Sequence, residues 1–213
     1  MVADRIHLVR HGEVHNPKGV LYGRLPNFGL SNLGHQMAAK AASELHESGR
    51  KISGLYVSPL QRTQESAAPI SRAAGLEPVI DERFIEPFNI FEGKVISGGR
   101  ILLKPHLWFH LRNPSQPTWG EPYQQIVDRM LEGIWHVANS VDSGDVVIVS
   151  HQLPIWMVHS ATAGVKLPHN PTQRRCALSS ITSFEIRDGK LEEVGYSDPS
   201  HELRTKAKDV GAV

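Results

Sequence analysis

Near the start of the chain, a short apolar run is followed directly by polar residues: Arg5-Ile6-His7-Leu8-Val9-Arg10-His11-Gly12-Glu13. Its branched apolar residues are typical of a short strand. An arginine, a histidine and a glycine follow the apolar residues directly, so the strand pattern stops there. In an open α/β sheet, ligands bind beyond the carboxyl ends of the strands. Arg10 and His11 are therefore the first candidate functional residues.

The chain beyond this stretch alternates helix and strand patterns. After Ser31, a good helix N-cap residue, apolar residues recur every four positions until Gly49, which predicts an amphipathic helix. Further helices are expected at 60–74, 123–139 and 153–163, and one within 100–111, where a proline disturbs the pattern. Strands are expected at 52–57, 78–80 and 145–149.

The order of these elements predicts the fold. Strands that alternate with helices favour a mostly parallel sheet covered by helices on both faces, and the nearly all-apolar strand Asp145–Val149 is typical of its centre. Asp188-Gly189, between two apolar runs, indicates an antiparallel hairpin at the edge. We therefore predict a three-layer α/β sandwich. Residues 1–213 are interpreted as one catalytic domain, with a polar and partly flexible tail at about 197–213.

Bulk composition excludes several classes of protein. The 213 residues carry a net charge of +1, without the basic excess that is typical of nucleic-acid binders. The single cysteine, Cys176, cannot form an intramolecular disulfide, which suits a reducing compartment. No apolar run is long enough to cross a bilayer, and the first residues lack a signal-peptide pattern. The expectation is a cytoplasmic protein with neither nucleic acid nor a membrane as partner.

Two distant residues are placed to join Arg10 and His11. His151 directly follows the predicted central strand, and Arg62 lies at the start of the second helix. Two guanidiniums, two imidazoles and the free N–H groups of a helix start would suit a phosphoryl group. Each residue alone could equally be a packed or solvated side chain. His7 and His11 on one strand could suggest a metal, but a His-Glu-x-x-His motif and a thiolate pair are both absent; we expect neither metal nor cofactor.

The same residues carry a family resemblance. Arg10-His11-Gly12-Glu13 resembles the Arg-His-Gly signature of the histidine phosphatase superfamily, which includes cofactor-dependent phosphoglycerate mutases. Further stretches resemble the family's motifs in the same order: Asn16, Gly23 and Leu30–Gln36, then Ser58–Thr63, Asp81–Glu86 with Phe91–Gly93, Gly120–Tyr123, and Val147–His151. The matches extend from residue 5 to about residue 200.

The resemblance implies a metal-independent phosphomonoester hydrolase with a phosphohistidine intermediate and a small phosphorylated substrate. It implies that His11 attacks phosphorus, while Arg10, Arg62 and His151 hold the phosphoryl oxygens. It also implies that Glu86 is the acid that protonates the leaving oxygen. Asn16 and Gly23, from the matching loop, are candidate substrate contacts.

Two departures from the family pattern leave questions open. Gln152 stands where the family often has glycine, so its side chain is a further candidate substrate contact. The glycine that usually precedes the aromatic–Glu–Gly stretch is absent, which leaves the register of the acid loop open. Glu13, beside the nucleophile, is the rival for the acid, and Glu82, Glu92 and Glu121 are the fallback candidates.

Three functions remain open, and a phosphatase is favoured. A phosphoglycerate mutase-type phosphotransferase needs a second anion site. The basic residues that follow Glu86 are instead scattered among aromatic residues. These aromatic residues could form a lid over the site or belong to the core. The basic residues are Lys94, Arg100, Lys104 and Arg112. Arg174-Arg175 is another basic pair and could equally be a solvated turn. A non-catalytic module that binds phosphorylated ligands would not need Glu86. Assembly into a homo-oligomer is also left open.

Overall fold

The computed structural model describes residues 2–95 and 119–209. Its strands are β1 (Ile6–Arg10), β2 (Ile52–Val57), β3 (Val79–Ile80), β4 (Asp145–Ser150), β5 (Ile181–Arg187) and β6 (Lys190–Ser197). Its α-helices are α1 (Asn32–Glu47), α2 (Gln61–Ala74), α3 (Tyr123–Ala138) and α4 (Gln152–Thr162), and short 3-10 helices cover Glu82–Phe84, Pro171–Gln173 and His201–Lys206. The helix expected within 100–111 lies outside the described residues.

The strands form one sheet with the order β3-β2-β4-β1-β5-β6. Strands β3, β2, β4 and β1 pair in parallel, and β5 and β6 continue the sheet in antiparallel pairing. The predicted α/β architecture, a mostly parallel sheet with an antiparallel hairpin, is therefore confirmed. In the described ranges, none of the helices combines the length and the apolar character needed to span a membrane.

Burial on both faces of the sheet explains why helices cover it on two sides. Every residue of β1 and β4 is buried. One face packs against α3 and α4 in a core that includes Phe84 and Phe184. The other face packs against α1 and α2, with Leu55 and Ile70 among the contacts. Each large apolar side chain buried in this way stabilises the fold by roughly 1.5–3 kcal/mol.

Local sequence signals set the helix ends. The Ser31 hydroxyl accepts a hydrogen bond from the Gly34 N–H at 3.0 Å, which caps the start of α1. Gly75 ends α2 with a φ of 67°, a left-handed conformation that glycine adopts without a steric penalty. These ends fix where the loops begin, and the loops carry the candidate site.

A buried carboxylate, Asp145, connects β4 to its surroundings at the end of the sheet where β4 begins. Asp145 accepts hydrogen bonds from His7 Nε2 at 3.0 Å and from Arg50 Nε and Nη2 at 2.6 and 2.8 Å. Burial alone would raise the pKa of Asp145, but the hydrogen bonds from His7 and Arg50 outweigh it and lower the pKa to about 2. The ionised carboxylate therefore stabilises the folded chain.

Replacing Asp145 with Asn should lower the free energy of unfolding by about 2 kcal/mol at neutral pH. Because the folded-state pKa is below the unfolded value, the stabilisation is present above about pH 4 and is lost as the pH falls towards 2. Urea denaturation of both proteins from pH 7 to pH 2.5 measures the difference. Asp142→Asn, at an exposed position nearby, is the control and should change little. A wild-type advantage that does not shrink in acid would contradict the assignment.

Candidate active site

The strand order brings the two predicted histidines together. β1 and β4 are parallel neighbours in which Arg10 is in register with Ser150, so both strands end at the same level. The His11 N–H donates to the Ser150 carbonyl at 3.1 Å. The His11 and His151 rings consequently lie with their centroids 5.3 Å apart, and both are fully buried.

Two glycines allow helix α1 to approach the loop that carries His11. A Cβ atom at Gly12 would lie 2.4 Å from the Gly34 carbonyl oxygen, and one at Gly34 would lie 2.0 Å from the Glu13 carbonyl oxygen. Neither distance is compatible with a side chain, so larger residues would push the helix and the loop apart. This close approach holds the backbone around His11 in place.

Both predicted arginines are buried near the imidazoles. Arg10 Nη1 donates to the Cys176 carbonyl at 2.7 Å. Arg62, in the first turn of α2, donates from Nη2 to the Gly23 carbonyl at 2.8 Å, and its guanidinium carbon lies 4.8 Å from the Tyr22 ring centroid. Arg10 is 0% exposed and Arg62 is 1% exposed. Backbone carbonyls and an aromatic face thus orient two fixed positive charges inside the protein.

The surroundings of His11 define its reactive nitrogen. Nδ1 lies 2.7 Å from the Gly12 carbonyl oxygen, and because a carbonyl only accepts, Nδ1 must carry the proton. Burial, followed by the Arg62 and Arg10 charges, lowers the pKa of His11 well below its ordinary value. The ring is therefore neutral at pH 7, and Nε2 carries the lone pair. A neutral imidazole with an oriented lone pair is a competent nucleophile.

Glu86 lies beside His151. Its Oε2 is 3.3 Å from His151 Nδ1, and the carboxyl is 1% exposed. Burial raises the pKa of Glu86 to about 7, against the opposing charges of Arg62 and Arg174. Burial also lowers the pKa of His151, with Arg62 contributing, while Nε2 of this ring lies 2.8 Å from the Ser58 hydroxyl. A carboxyl with a pKa near 7 can donate or accept a proton at neutral pH.

Buried polar atoms without a hydrogen-bond partner cluster at this point. Within the part of the chain that is described, they include one atom from each of the five predicted residues: Arg10 Nε, His11 Nε2, Arg62 Nε, Glu86 Oε1 and His151 Nδ1. The 3.3 Å contact between His151 Nδ1 and Glu86 Oε2 does not have the geometry of a hydrogen bond. Such groups are costly and call for an explanation. An anionic ligand with several oxygens would engage the nitrogen donors among them, and this arrangement suits a phosphoryl group.

The other candidate acids are engaged elsewhere. Glu13 accepts a hydrogen bond from the Ser31 hydroxyl and another from the Lys208 N–H, so it ties α1 to the tail. Glu92 accepts from the Arg24 N–H, Glu121 pairs with Arg129, and Glu82 is exposed. Glu86 itself is 1% exposed. Glu86 is thus the carboxyl that burial places against His151.

The candidate substrate contacts occupy different places. Gly23 contributes its carbonyl to Arg62, and Gln152 accepts a hydrogen bond from Arg174 Nη1 at 3.2 Å. Asn16 exchanges hydrogen bonds with Val20 in its own loop and lines a different cavity of about 360 Å³. Gly23 therefore contacts Arg62 and Gln152 contacts Arg174, whereas the described hydrogen bonds of Asn16 stay within its own loop.

A metal site would need several His, Cys, Asp or Glu side chains close together. Among residues 2–95 and 119–209, no three His, Cys, Asp or Glu side chains are grouped closely enough to hold a metal ion. The charge at the site comes instead from arginine. Of the basic residues considered for a second anion site, Arg100, Lys104 and Arg112 lie outside the described residues.

Comparisons with known proteins find a matching family model and several similar proteins. Residues 6–199 match the family model described as the histidine phosphatase superfamily (branch 1). An uncharacterized protein of Mycobacterium tuberculosis is 44% identical over 197 residues, covering 92% of this chain and 96% of that protein. Phosphoserine phosphatase 1 of Hydrogenobacter thermophilus is 29% identical over 170 residues, covering 76% of this chain and 78% of the relative.

A solved structure agrees with the fold. A phosphoserine phosphatase mutant from Entamoeba histolytica, crystallised with phosphoserine, superposes with a TM-score of 0.72 at 22% identity. The match covers 92% of this chain and 98% of that one. At this identity the likeness concerns the fold.

Sequence reasoning missed one partner of Arg10. The Asp209 carboxylate, in the tail, accepts hydrogen bonds from Arg10 Nη1 at 2.8 Å and from Nη2 at 2.5 Å. Tyr22, which stacks on Arg62, was also missed. Neither residue stands in a helix or strand pattern that could have pointed to the site. The polar tail therefore supplies a carboxylate to the same guanidinium that we expect to hold a phosphoryl oxygen.

Replacing Asp209 with Asn should tighten the binding of inorganic phosphate, because the Arg10 guanidinium would no longer be shared with a carboxylate. The Asp209 side chain is 42% exposed, so the gain is modest, about threefold to tenfold in Kd. Isothermal titration calorimetry at low salt measures it. Glu202→Gln, at an exposed tail position paired with Lys40, is the matched control. Weaker phosphate binding by the Asn variant would show that Asp209 does not compete.

Proposed function

The chain belongs to the histidine phosphatase superfamily (branch 1), and we propose that it is a metal-independent phosphatase that hydrolyses a small phosphomonoester through a phosphohistidine on His11. The observation that supports this most directly is the neutral His11 ring, whose unpartnered Nε2 is buried with two guanidiniums. Phosphoryl transfer depends chiefly on positioning and on stabilisation of charge. Buried arginines supply both without reorganisation of water.

The first step transfers the phosphoryl group to the enzyme. His11 Nε2 attacks phosphorus, a P–N bond forms, and the bond between phosphorus and the ester oxygen breaks. Arg10, Arg62 and His151 stabilise the charge on the equatorial oxygens. Glu86 gives its proton to the ester oxygen, which leaves as an alcohol. A carboxyl with a pKa of about 7 retains enough protonated form at neutral pH to perform this role.

The second step releases phosphate. The Glu86 carboxylate left by the first step accepts a proton from water while the water oxygen attacks phosphorus. The P–N bond breaks, phosphate departs, and the electron pair returns to Nε2 of His11. Glu86 is then protonated again, so one group serves both half-reactions.

Two other functions make different demands on the site. A binding module gains nothing from a buried carboxyl beside His151, because burial of Glu86 costs stability without improving anion binding. A mutase-type phosphotransferase would instead transfer the phosphoryl group from His11 to a free hydroxyl of a monophosphorylated substrate. The bisphosphorylated intermediate formed in this way would then give its other phosphoryl group back to His11. Incubation with 3-phosphoglycerate and its bisphosphorylated primer tests this case, and isomerisation faster than phosphate release would favour the mutase.

The test of the proposed activity is release of p-nitrophenol from p-nitrophenyl phosphate with and without EDTA. Turnover should be unaffected by EDTA and should fall at least 10³-fold in His11→Ala, because the nucleophile is removed. The exposed His15→Ala should retain turnover and serves as the control. Brief incubation with labelled substrate should leave an acid-labile label on the wild type and on His15→Ala but not on His11→Ala. Loss of turnover in EDTA, or normal turnover by His11→Ala, would overturn the proposal.

The acid assigned to Glu86 predicts a dependence on both pH and leaving group. For an alkyl phosphate, kcat/KM should decline as the pH rises through about 7, because the carboxyl must be protonated when the ester bond breaks. Glu86→Gln should lower turnover of the alkyl ester by about 10²–10⁴-fold and that of p-nitrophenyl phosphate much less, since p-nitrophenolate leaves without a proton. Glu82→Gln, an exposed neighbour, is the control. Equal losses on both substrates would assign the acid to another residue.

A further inference from the structure

Ser58, the first residue after β2, contacts the second imidazole of the site. Its N–H donates to the Val149 carbonyl at 3.0 Å, which holds it against β4, and Thr63 Oγ1 donates to its carbonyl at 2.9 Å. The Ser58 side chain is fully buried, and its Oγ lies 2.8 Å from Nε2 of His151. The backbone contacts of Ser58 thus fix its hydroxyl against the ring, although the two residues are 93 positions apart in the chain.

The other nitrogen of His151, Nδ1, lies on the side of the proposed phosphoryl site. It is 3.3 Å from Glu86 Oε2 without hydrogen-bond geometry, and among residues 2–95 and 119–209 it has no hydrogen-bond partner. The ring is neutral, because burial and the Arg62 charge lower its pKa well below the ordinary value. A neutral ring carries one proton. A proton on Nδ1 would offer the site a hydrogen-bond donor, whereas a proton on Nε2 would leave a lone pair there.

The contacts of the Ser58 hydroxyl distinguish these two tautomers. Within the described parts of the chain, Oγ has two hydrogen-bond contacts, His151 Nε2 at 2.8 Å and the Leu60 N–H at 3.5 Å. The Leu60 N–H can only donate, so Nε2 is the acceptor that remains for the serine proton. If Nε2 carried a proton instead, the buried hydroxyl would face two donors and its own proton would have no acceptor. Leaving a buried polar proton unpaired costs free energy, so the structure favours the tautomer with the proton on Nδ1.

We propose, building on the proposed phosphatase function, that Ser58 is a positioning residue that donates its hydroxyl proton to His151 Nε2 and thereby directs the Nδ1–H at the phosphoryl oxygens. The hydrogen bond made by one ring nitrogen determines which tautomer is present. The same rule acts in the opposite sense at His11, where the Gly12 carbonyl accepts from Nδ1 and leaves Nε2 free to attack. A hydroxyl donor and a carbonyl acceptor thus make one imidazole a hydrogen-bond donor and the other a nucleophile.

The tautomer can be measured by NMR of protein labelled with ¹⁵N in its histidine rings, because protonated and unprotonated ring nitrogens resonate at well-separated frequencies. The signals of His151 are those that His151→Gln loses. In the wild type at neutral pH, Nδ1 should be protonated and Nε2 unprotonated. In Ser58→Ala, both nitrogens should shift towards intermediate values, because the donor that selects one tautomer is gone. Ser58→Thr, which keeps the hydroxyl, should retain the wild-type pattern.

Binding and turnover give a second measurement. Ser58→Ala should weaken the binding of inorganic phosphate and lower kcat/KM by about 10- to 100-fold, by analogy with groups that orient metal-binding histidines. The loss should be equal for p-nitrophenyl phosphate and an alkyl phosphate, since both carry the same phosphoryl oxygens, and this separates the effect from that of Glu86→Gln. Ser160→Ala, which removes another fully buried hydroxyl from α4, is the matched control and should change neither the tautomer nor turnover.

The outcomes separate this inference from the activity on which it rests. A proton on Nε2 of His151 in the wild type would overturn the inference, whatever the turnover. A wild-type tautomer that persists in Ser58→Ala would also overturn it, since another group would then select the tautomer. If the wild type shows the expected tautomer but hydrolyses no phosphomonoester, the proposed phosphatase function fails and the assignment of Ser58 stands. The wild-type spectrum identifies the tautomer even where a Ser58 variant does not fold.

Discussion

The site depends on the burial of two guanidiniums next to two imidazoles. Removal of a cation from water costs several kcal/mol unless acceptors replace the lost hydration. Arg10 donates hydrogen bonds to the Cys176 carbonyl and the Asp209 carboxylate. Arg62 donates to the Gly23 carbonyl and packs against the ring of Tyr22. The buried charges then keep both imidazoles neutral, because a protonated ring beside them would be repelled. One electrostatic arrangement therefore creates the proposed anion site and leaves His11, the proposed nucleophile, unprotonated.

The sheet makes this arrangement possible. Parallel neighbours end at the same level, so the backbone of β1 and β4 places His11 against His151 before any side-chain packing is considered. β2 lies on the other side of β4, which brings Ser58 and the start of α2 to the same edge. At the opposite end of these strands, Asp145 at the start of β4 is hydrogen-bonded to His7 of β1. The regular geometry of parallel strands thus brings residues that are far apart in sequence into one pocket.

The parts of this structure that are set by local or periodic sequence patterns could be predicted from the sequence. Ser31, Gly75 and the hairpin turn at Asp188-Gly189 each specify a local conformation, and strand ends followed by histidine predicted the pocket. The remaining parts are set by long-range contacts between irregular segments, which leave no periodic pattern. Asp209 reaches Arg10 across nearly the whole chain. Sequence left five glutamates as candidate acids, and burial against His151 is what distinguishes Glu86.

Binding of a phosphoryl anion would also change the pKa of Glu86, the proposed general acid. In the free protein, burial and the opposing arginine charges hold the pKa of Glu86 at about 7. A phosphoryl dianion on Arg10 and Arg62 would offset two of the four arginine charges that favour the ionised carboxyl, so the pKa of Glu86 would rise when such a ligand binds. In the proposed mechanism, the proton needed by the leaving oxygen is thereby retained at the moment when the ester bond breaks. The arginines proposed to hold the phosphoryl group would therefore couple its arrival to the protonation of Glu86, and this coupling requires no movement of the fold.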